Sequence, residues 1–406
     1  MANYYFQRDT KVFIHVPTTA AGTKAMYYEL PVLDGYSFSQ ATNTSEITLN
    51  QAQTIGGVSL RARQMFNDSY APAEWSFSTY MSPFQGVTDA AVGTQGAAAE
   101  TVGFHQEVSE ALWAMFFGQM TSNALTPDAD NLTINQNHAN KATVGVFDLY
   151  FVFGGAAMAY TAGLPANFTG DDVGVYKIAD CSVNEFSFDF DIDGIATVAW
   201  SGQGKVITDE GTKNFSTAPE ATTTITEGVV SATGAARTNG FIRNRVSDLT
   251  LTSDVKNTGS SQAYATTLTG GNITGTNNIT YLTPETLGVV NQPLGHVTGT
   301  KTIGGNVTCY LDNADNGSAE LFEDAIENTA DIKNVTSFAF DIGAGTGATE
   351  DTVPYCLITM PTCNIEVPTI NIDDVISLET NFHALPTAID ATDEITVFDF
   401  YGITVG

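Results

Sequence analysis

Between residues 186 and 201 the chain alternates hydrophobic and polar positions. Phe186, Phe188, Phe190 and Ile192 fall on one side, and Ser187, Asp189 and Asp191 on the other. After Asp193-Gly194 the rhythm resumes, with Ala196, Val198 and Trp200 against Thr197, Ala199 and Ser201. A period of two puts one strand face in a core and the other in water. The Asp-Gly pair marks a turn or a bulge between the two runs. The pattern returns at a constant offset of 180, in CNIEVPTINIDDVISLETNF. Asn184 matches Asn364, Ile192 matches Ile372, and Asp193 matches Asp373. Ile195 matches Val375, Thr197 matches Ser377, and Val198 matches Leu378.

The rest of the chain can be laid out on this repeat. In the first half, strands are expected at 11–16, 26–33, 35–40, 74–81, 144–157 and 173–180. In 74–81, Trp75, Phe77 and Thr79 alternate with Ser76, Ser78 and Tyr80. A helix is predicted over 105–119, its stripe made by Val108, Leu112, Met115, Phe116 and Gln119 and widened by Trp113 and Phe117. Gly118 lies near its end. Residues 82–103 and 120–141 read as loops. In the second half DLTLTS stands where GYSFSQ stood, 254–296 reads as a Thr/Asn/Gly-rich insertion, and VTCYL lies like FSTYM. A second helix is expected at 318–328, and 335–343 answers 144–157. Residues 208–240 are poor in large apolar groups and read as a connection, since so long a loop inside one compact domain is unusual. The expected organisation is a first domain at 1–207, a connection at 208–240, a second domain at 241–385 and a tail at 386–406. Each domain is an antiparallel β-sandwich or barrel with one flanking helix and long loops.

Charge narrows the function. The chain has 45 acidic and 15 basic residues, a formal net charge of −30. Such a surface repels nucleic acid, so DNA reading is disfavoured, yet the same field suits a protein that sits near DNA without holding it. The four cysteines, Cys181, Cys309, Cys356 and Cys363, form no CxxC and read as buried strand residues of a reducing compartment. Spacing alone does not decide whether Cys356 and Cys363 are bridged. The N-terminus lacks the apolar segment of a secretory signal, and no apolar run is long enough to cross a membrane as a helix.

Catalytic and metal signatures are missing. His15, His105, His138, His296 and His383 have no metal-ligand spacing, and no GxSxG, P-loop or GxGxxG occurs. Residues 312–323 resemble a calcium loop in Asp312, Asn316, Gly317 and Glu323, but Ala314 stands where a ligand is required. A turn capped by Ser318 fits better. Asp189, Asp191 and Asp193 on one strand side read as a solvated acidic face rather than a cation site. No cofactor, metal or catalytic activity is expected, and the profile suits a self-assembling structural protein.

Several phrases resemble the tail tube proteins, or major tail proteins, of tailed bacteriophages. They are YYELPVLDGYSFSQATNTSEITL with VSLRARQMFNDSYAPAEWSFSTYM, then SFDFDIDGIATVAWSG, and the closing DVISLETNFHALPT. The resemblance implies a small β-sandwich or barrel with one helix, subunits that stack as rings, and an inner β-barrel continuous between neighbours. A duplicated domain implies trimeric, pseudo-hexameric rings. It also implies as partners the chain itself, a tape measure protein, a tail terminator and baseplate or tip proteins, with transient non-specific passage of DNA and no membrane. The expected place is the virion tail, after assembly in the host cytoplasm. Asp189, Asp191 and Asp193, with the matching Asp373, Asp374 and Glu379, are the candidates for the lumen or the ring-to-ring surface. The competing class is a phage fibre, receptor-binding or surface-layer β-sandwich.

Overall fold

The computed structural model describes residues 4–7, 10–16, 26–48, 63–85, 105–118, 126–127, 132–134, 144–154, 160–161, 164–165, 174–192, 194–210, 224–225, 241–244, 248–253, 262–283, 290–327, 337–343, 354–372, 374–389, 391, 394 and 397–404. Asp193, Asp373, Gln119 and most of 82–103, 120–141 and 208–240 lie outside them.

The chain is mainly β and antiparallel. In the first half β1 (Lys11–Val16) lies between β2 (Met26–Leu30) and β9 (Phe147–Phe153). β9 pairs with the first part of β12 (Gly174–Asp191), which also pairs with β14 (Ile207–Asp209). β15 (Thr224–Ile225) adds to β2 in parallel. β12 is a single strand of 18 residues that serves two sheets. Its register slips between Ile178 and Cys181, where Asp180 takes φ 48°. Such a bulge bends a strand and raises its twist. Past the bend, β12 pairs with β13 (Thr197–Gly204), β13 with β4 (Arg63–Tyr80), and β4 with β3 (Ser37–Thr48).

The second half repeats both sheets. Its outer sheet runs β17 (Gln262–Thr266), β16 (Asp248–Ser253), β22 (Ser337–Ile342), β23 (Tyr355–Met360) and β27 (Val397–Tyr401), the order of β2-β1-β9-β12-β14. Its inner sheet runs β18 (Leu268–Thr276), β21 (Thr302–Tyr310) and β26 (Ser377–Ala384). β24 (Cys363–Ile365) and β25 (Thr369–Asn371) then share the far side of β26. This is the order β3-β4-β13-β12, and β13 and β26 occupy the same span 180 residues apart. The two inner sheets are fused. β12 pairs with β18 from Glu185 opposite Thr276 to Asp191 opposite Gly270. The result is one sheet of eight strand positions, β3-β4-β13-β12-β18-β21-β26-β24/β25.

Two sequence expectations change here. DLTLTS forms β16, the counterpart of β1, and the counterpart of GYSFSQ is β18, inside the stretch read as an insertion. β18 escaped notice because its core face is partly glycine. Cβ atoms at Gly271 and Gly275 would collide with the rings of Phe190 and Phe186 on β12. The strand omits side chains there to admit the phenylalanines of its neighbour. The tail is also woven in. β27 bonds β8 (Leu132–Ile134), which pairs with β7 (Thr126–Pro127), and β28 (Ile403–Thr404) joins β5 (Pro83–Gln85), the partner of β6 (His105–Glu107). Two hairpins complete the set: β10 (Tyr160–Thr161) with β11 (Leu164–Pro165), and β19 (Ile279–Leu282) with β20 (Gly295–Thr298).

Among the described residues each half carries one helix. α1 (Glu110–Phe117) is shorter than expected, because residues 105–107 pair as β6. All eight of its side chains are buried, not a stripe alone, and Gly118 closes it with a left-handed φ of 73°. Trp113 packs at 4.6–4.9 Å between ring centroids against Phe186, Trp200 and Phe398. α2 (Ser318–Glu327) takes Ser318 as its first residue rather than as its cap: the Leu321 N–H bonds the Gly317 carbonyl at 3.1 Å, while Ser318 Oγ accepts the Asp312 N–H at 2.8 Å and donates to the Tyr310 carbonyl at 2.6 Å, tying down the preceding turn. Asp312 Oδ1 takes the Ala314 N–H at 3.0 Å, so this carboxylate serves the turn. One continuous core spans both halves, from Val12 to Phe400.

Candidate assembly surface

Because side chains alternate along every strand, the fused sheet has two unlike faces. Phe186, Phe188, Phe190, Val198 and Trp200 enter the core, where Trp200 Nε1 donates to buried Thr79 Oγ1 at 3.0 Å. The other face is Ser, Thr, Asn and carboxylate. Asp189 lies opposite Thr197 on one side and Asn272 on the other. Asn272 lies opposite Asn306, and Asn306 opposite Asn381, two positions from Glu379. Asp191 is in line with Glu379 through Gly270 and Thr308. The structure therefore brings Asp189, Asp191 and Glu379 to one exposed face. Asp374 is apart from them, exposed in the turn before β26, beside Tyr310, Ile372, Val375 and Ser377.

The sequence reading missed two members of this face, Glu185 and Glu74. Both follow from the same alternation, since Glu185 precedes buried Phe186 and Glu74 precedes buried Trp75. From Ala73 of β4 across to β24/β25 the described strand positions of this face hold no lysine or arginine, and Arg63, at the hairpin end of β4, pairs with Glu46. Lys177 pairs with Asp148, Lys205 with Asp180, and Lys301 lies over the rings of Phe116 and Phe117. His383 is on the face, 3.4 Å from Glu366. Hydrogen bonds from Asn381 and His383 hold Glu366 below the usual carboxylate range.

The rim of the sheet is apolar at matching places. Ile192, expected in the core, is 44% exposed because β12 ends at Asp191. It sits at the β12–β13 tip with exposed Ile195. At the β25–β26 tip the counterparts Ile372 and Val375 are 80% and 57% exposed. Pairing directions place both tips on one rim, and the β3–β4 and β19–β20 hairpins on the opposite rim.

The sheet also has two open edges. Among the described residues, β3 pairs only with β4, and β24 and β25 pair only with β26. β24 and β25 are separate around Pro368, which cannot donate to a ladder.

A buried carboxyl pair lies elsewhere, where α1 meets β6. Glu107 accepts from Ser82 N–H at 3.3 Å, Ser109 N–H at 2.6 Å and Ser109 Oγ at 2.8 Å, and Glu110 accepts the Glu107 N–H at 3.4 Å. Burial pushes Glu107 up to about 7 and Glu110 up to about 8. Both are sealed from solvent, so the pair reads as structural. The four cysteines are free and buried. Among the described residues no group of three or more metal-ligating side chains occurs, and no helix is long and apolar enough to cross a membrane.

No protein-family model matches the chain. Over 387 residues it is 28% identical to the tail tube protein pb6 of Escherichia phage T5, a match covering 95% of this chain and 74% of that one. The resemblance read from short phrases thus extends along nearly the whole chain.

Proposed function

We propose that this chain, a relative of phage tail tube proteins, is a structural subunit of a virion tail whose copies close into rings and stack as a hollow tube. The observation that carries the reading is the pairing of β12 with β18. It joins the last strand of one inner sheet to the first strand of its repeat. The same two strand positions are left open at the outer edges, as β24/β25 and β3, with the same antiparallel sense. One copy's β24/β25 meets the next copy's β3 as β12 meets β18. A head-to-tail contact of this kind closes into a ring when its rotation allows, and closure removes exposed edges.

Three copies complete the pseudo-sixfold ring. The tube units are 1–207 and 241–385, linked by 208–240, and the tail at 386–406 supplies the outer strand β27 of the second unit. Twenty-four strands at about 4.8 Å spacing and about 40° tilt give a barrel roughly 50 Å across, an open channel rather than a filled core. The outer sheets and helices cover the apolar face, so the acidic face lines the channel. Asp189, Asp191 and Glu379, with Glu74 and Glu185, repel phosphates there, so DNA passes without being held. Asp374, exposed in the turn before β26, belongs to the ring-to-ring surface; Asp193 and Asp373, outside the described residues, are proposed for the lumen or the ring-to-ring surface from the sequence repeat alone. Assembly takes place in the host cytoplasm, on a tape measure protein between a terminator and a baseplate or tip. The chain lets DNA pass and catalyses nothing.

Negative-stain microscopy of the concentrated protein tests this: stacked rings are expected, and a chain that stays monomeric rules the reading out. Val367→Lys puts a charge on the β24–β25 edge, where Val367 is 66% exposed. It should leave the chain folded and prevent rings; wild-type assembly of this variant would exclude the edge pairing.

A further inference from the structure

Beyond the sheet, β3 and β4 continue as a hairpin of residues 44–48 and 63–67. Every residue from 63 to 68 is exposed, and the hairpin holds Ile47, Met65 and Phe66 in solvent, with Met65 at 59%. An isolated two-stranded hairpin is marginal in water, and one with apolar groups on its surface needs a seat.

Its counterpart in the second half has such a seat within the chain. The β19–β20 hairpin leaves β18 and leans over the bend of β12. Tyr281 Oη reaches the carbonyls of Asp180 at 2.6 Å and Gln203 at 3.1 Å. His296 Nδ1 lies 3.3 Å from Ser182 Oγ, and Asn184 Oδ1 accepts the Ile279 N–H at 2.8 Å. Ile279 and Tyr281 close a small apolar cluster with Val144. Farther on, Asn291 exchanges backbone hydrogen bonds with Asp68 and Tyr70 of β4.

The register relates the two hairpins to within one residue. Ser37 lies opposite Ser76 and Ser76 opposite Ser201; Asn272 lies opposite Asn306 and Asn306 opposite Asn381. Ser201 and Asn381 are 180 apart, so Ser37 corresponds to Asn272. Nine residues on along the first strand, Glu46 corresponds to Tyr281, with cross-strand partners Met65 and His296; counted back along the second strand from Ser76 and Asn306, His296 falls on Phe66, because the β3–β4 register shifts at Gln40/Thr42 and Asn43/Thr44. The seat shifts by the same repeat: Asp180, Ser182, Asn184 and Gln203 become Met360, Thr362, Asn364 and His383. These four surround the junction of β23 and β24.

We infer that the 44–48/63–67 hairpin docks on a second copy of this chain, across the β23–β24 junction. It takes the position there that β19–β20 takes on the first half of its own chain. The inference rests on the ring reading, because pairing of β3 with a neighbour's β24/β25 brings hairpin and seat together. The partner is another subunit of the same ring, and the contact is a strap across the seam.

The internal pair Ser182–His296 names the test. In the full-length chain, Met65→Cys with Thr362→Cys should form intermolecular disulfides in assembled rings under mild oxidation, seen as a non-reducing gel ladder. The native thiols are buried and do not compete. In parallel, p-benzoylphenylalanine at Phe66, an exposed site, should cross-link on irradiation to residues near 360–366 or 383 of another copy. Rings that form while both probes leave this junction unlinked overturn the docking but not the ring. Absence of rings in the wild-type chain overturns both. Links confined to one copy by mass spectrometry of mixed isotopes also overturn the docking.

Discussion

Phe188 of β12 stands opposite Ile273 of β18, both sealed in the core, although they come from opposite halves of the chain. This pair sits on the seam that makes two repeated sheets one. Phe188→Ala should destabilise the chain by about 3–5 kcal/mol, the usual cost of emptying a phenylalanine site. Ser187→Ala, on the polar face of the same strand, should stay within about 0.5 kcal/mol. Guanidinium unfolding of the unassembled chain measures both. A seam this apolar also calls for joint unfolding; separate transitions of the two halves would contradict it.

The rim tips give a second expectation. Ile372→Asp with Val375→Asp changes two exposed positions, so the melting temperature should move little. If these tips contact the next ring, tubes shorten to single rings, as microscopy would show. Tubes of wild-type length would remove the tips from the ring-to-ring surface.

The buried pair at α1 makes stability depend on pH with a definite sign. Glu107 and Glu110 are raised by burial from 4.5 to about 7 and about 8. The folded chain therefore binds more protons than the unfolded chain between those limits, and stability falls as pH rises from about 4.5 to about 8. Glu110→Gln should flatten this slope and stabilise the chain at pH 8 by on the order of a few kcal/mol, seen as a higher melting temperature. A melting-temperature profile across that range decides it; parallel curves for variant and wild type would refute the assignment.

The thiols should be silent in the native chain. Burial pushes Cys309 up to about 11, Cys363 up to about 12 and Cys181 well above the ordinary thiol value. A thiol reagent at pH 8 should react slowly with the folded chain and count four groups after unfolding, since none is bridged. Fewer than four would indicate a disulfide.

The repeated hairpin was legible because its pattern is local. Phe186, Phe188 and Phe190 alternate with Ser187 and Asp189, and alternation follows from pleating alone. The same rule reaches Asp189 and Glu379, and extends to Glu74 and Glu185, each next to a buried aromatic residue. Ile192 was misplaced because alternation does not say where a strand stops. β18 was missed for the opposite reason. Gly271 and Gly275 are silent in a hydrophobic pattern, yet they are required by the rings of Phe190 and Phe186 on a strand distant in sequence.

By itself the sequence determined a mainly β chain with two helices, a repeat at offset 180, an acidic character and the likeness to tail tube proteins. These depend on side-chain order and composition, which need no knowledge of neighbours. Only the tertiary structure decided that β12 pairs with β18, that β27 and β28 of the tail join both halves, and which edges stay open. Strand pairing is a contact between segments far apart in the chain. Its register is chosen by which faces and rings fit together, and no stretch of either strand records that choice alone.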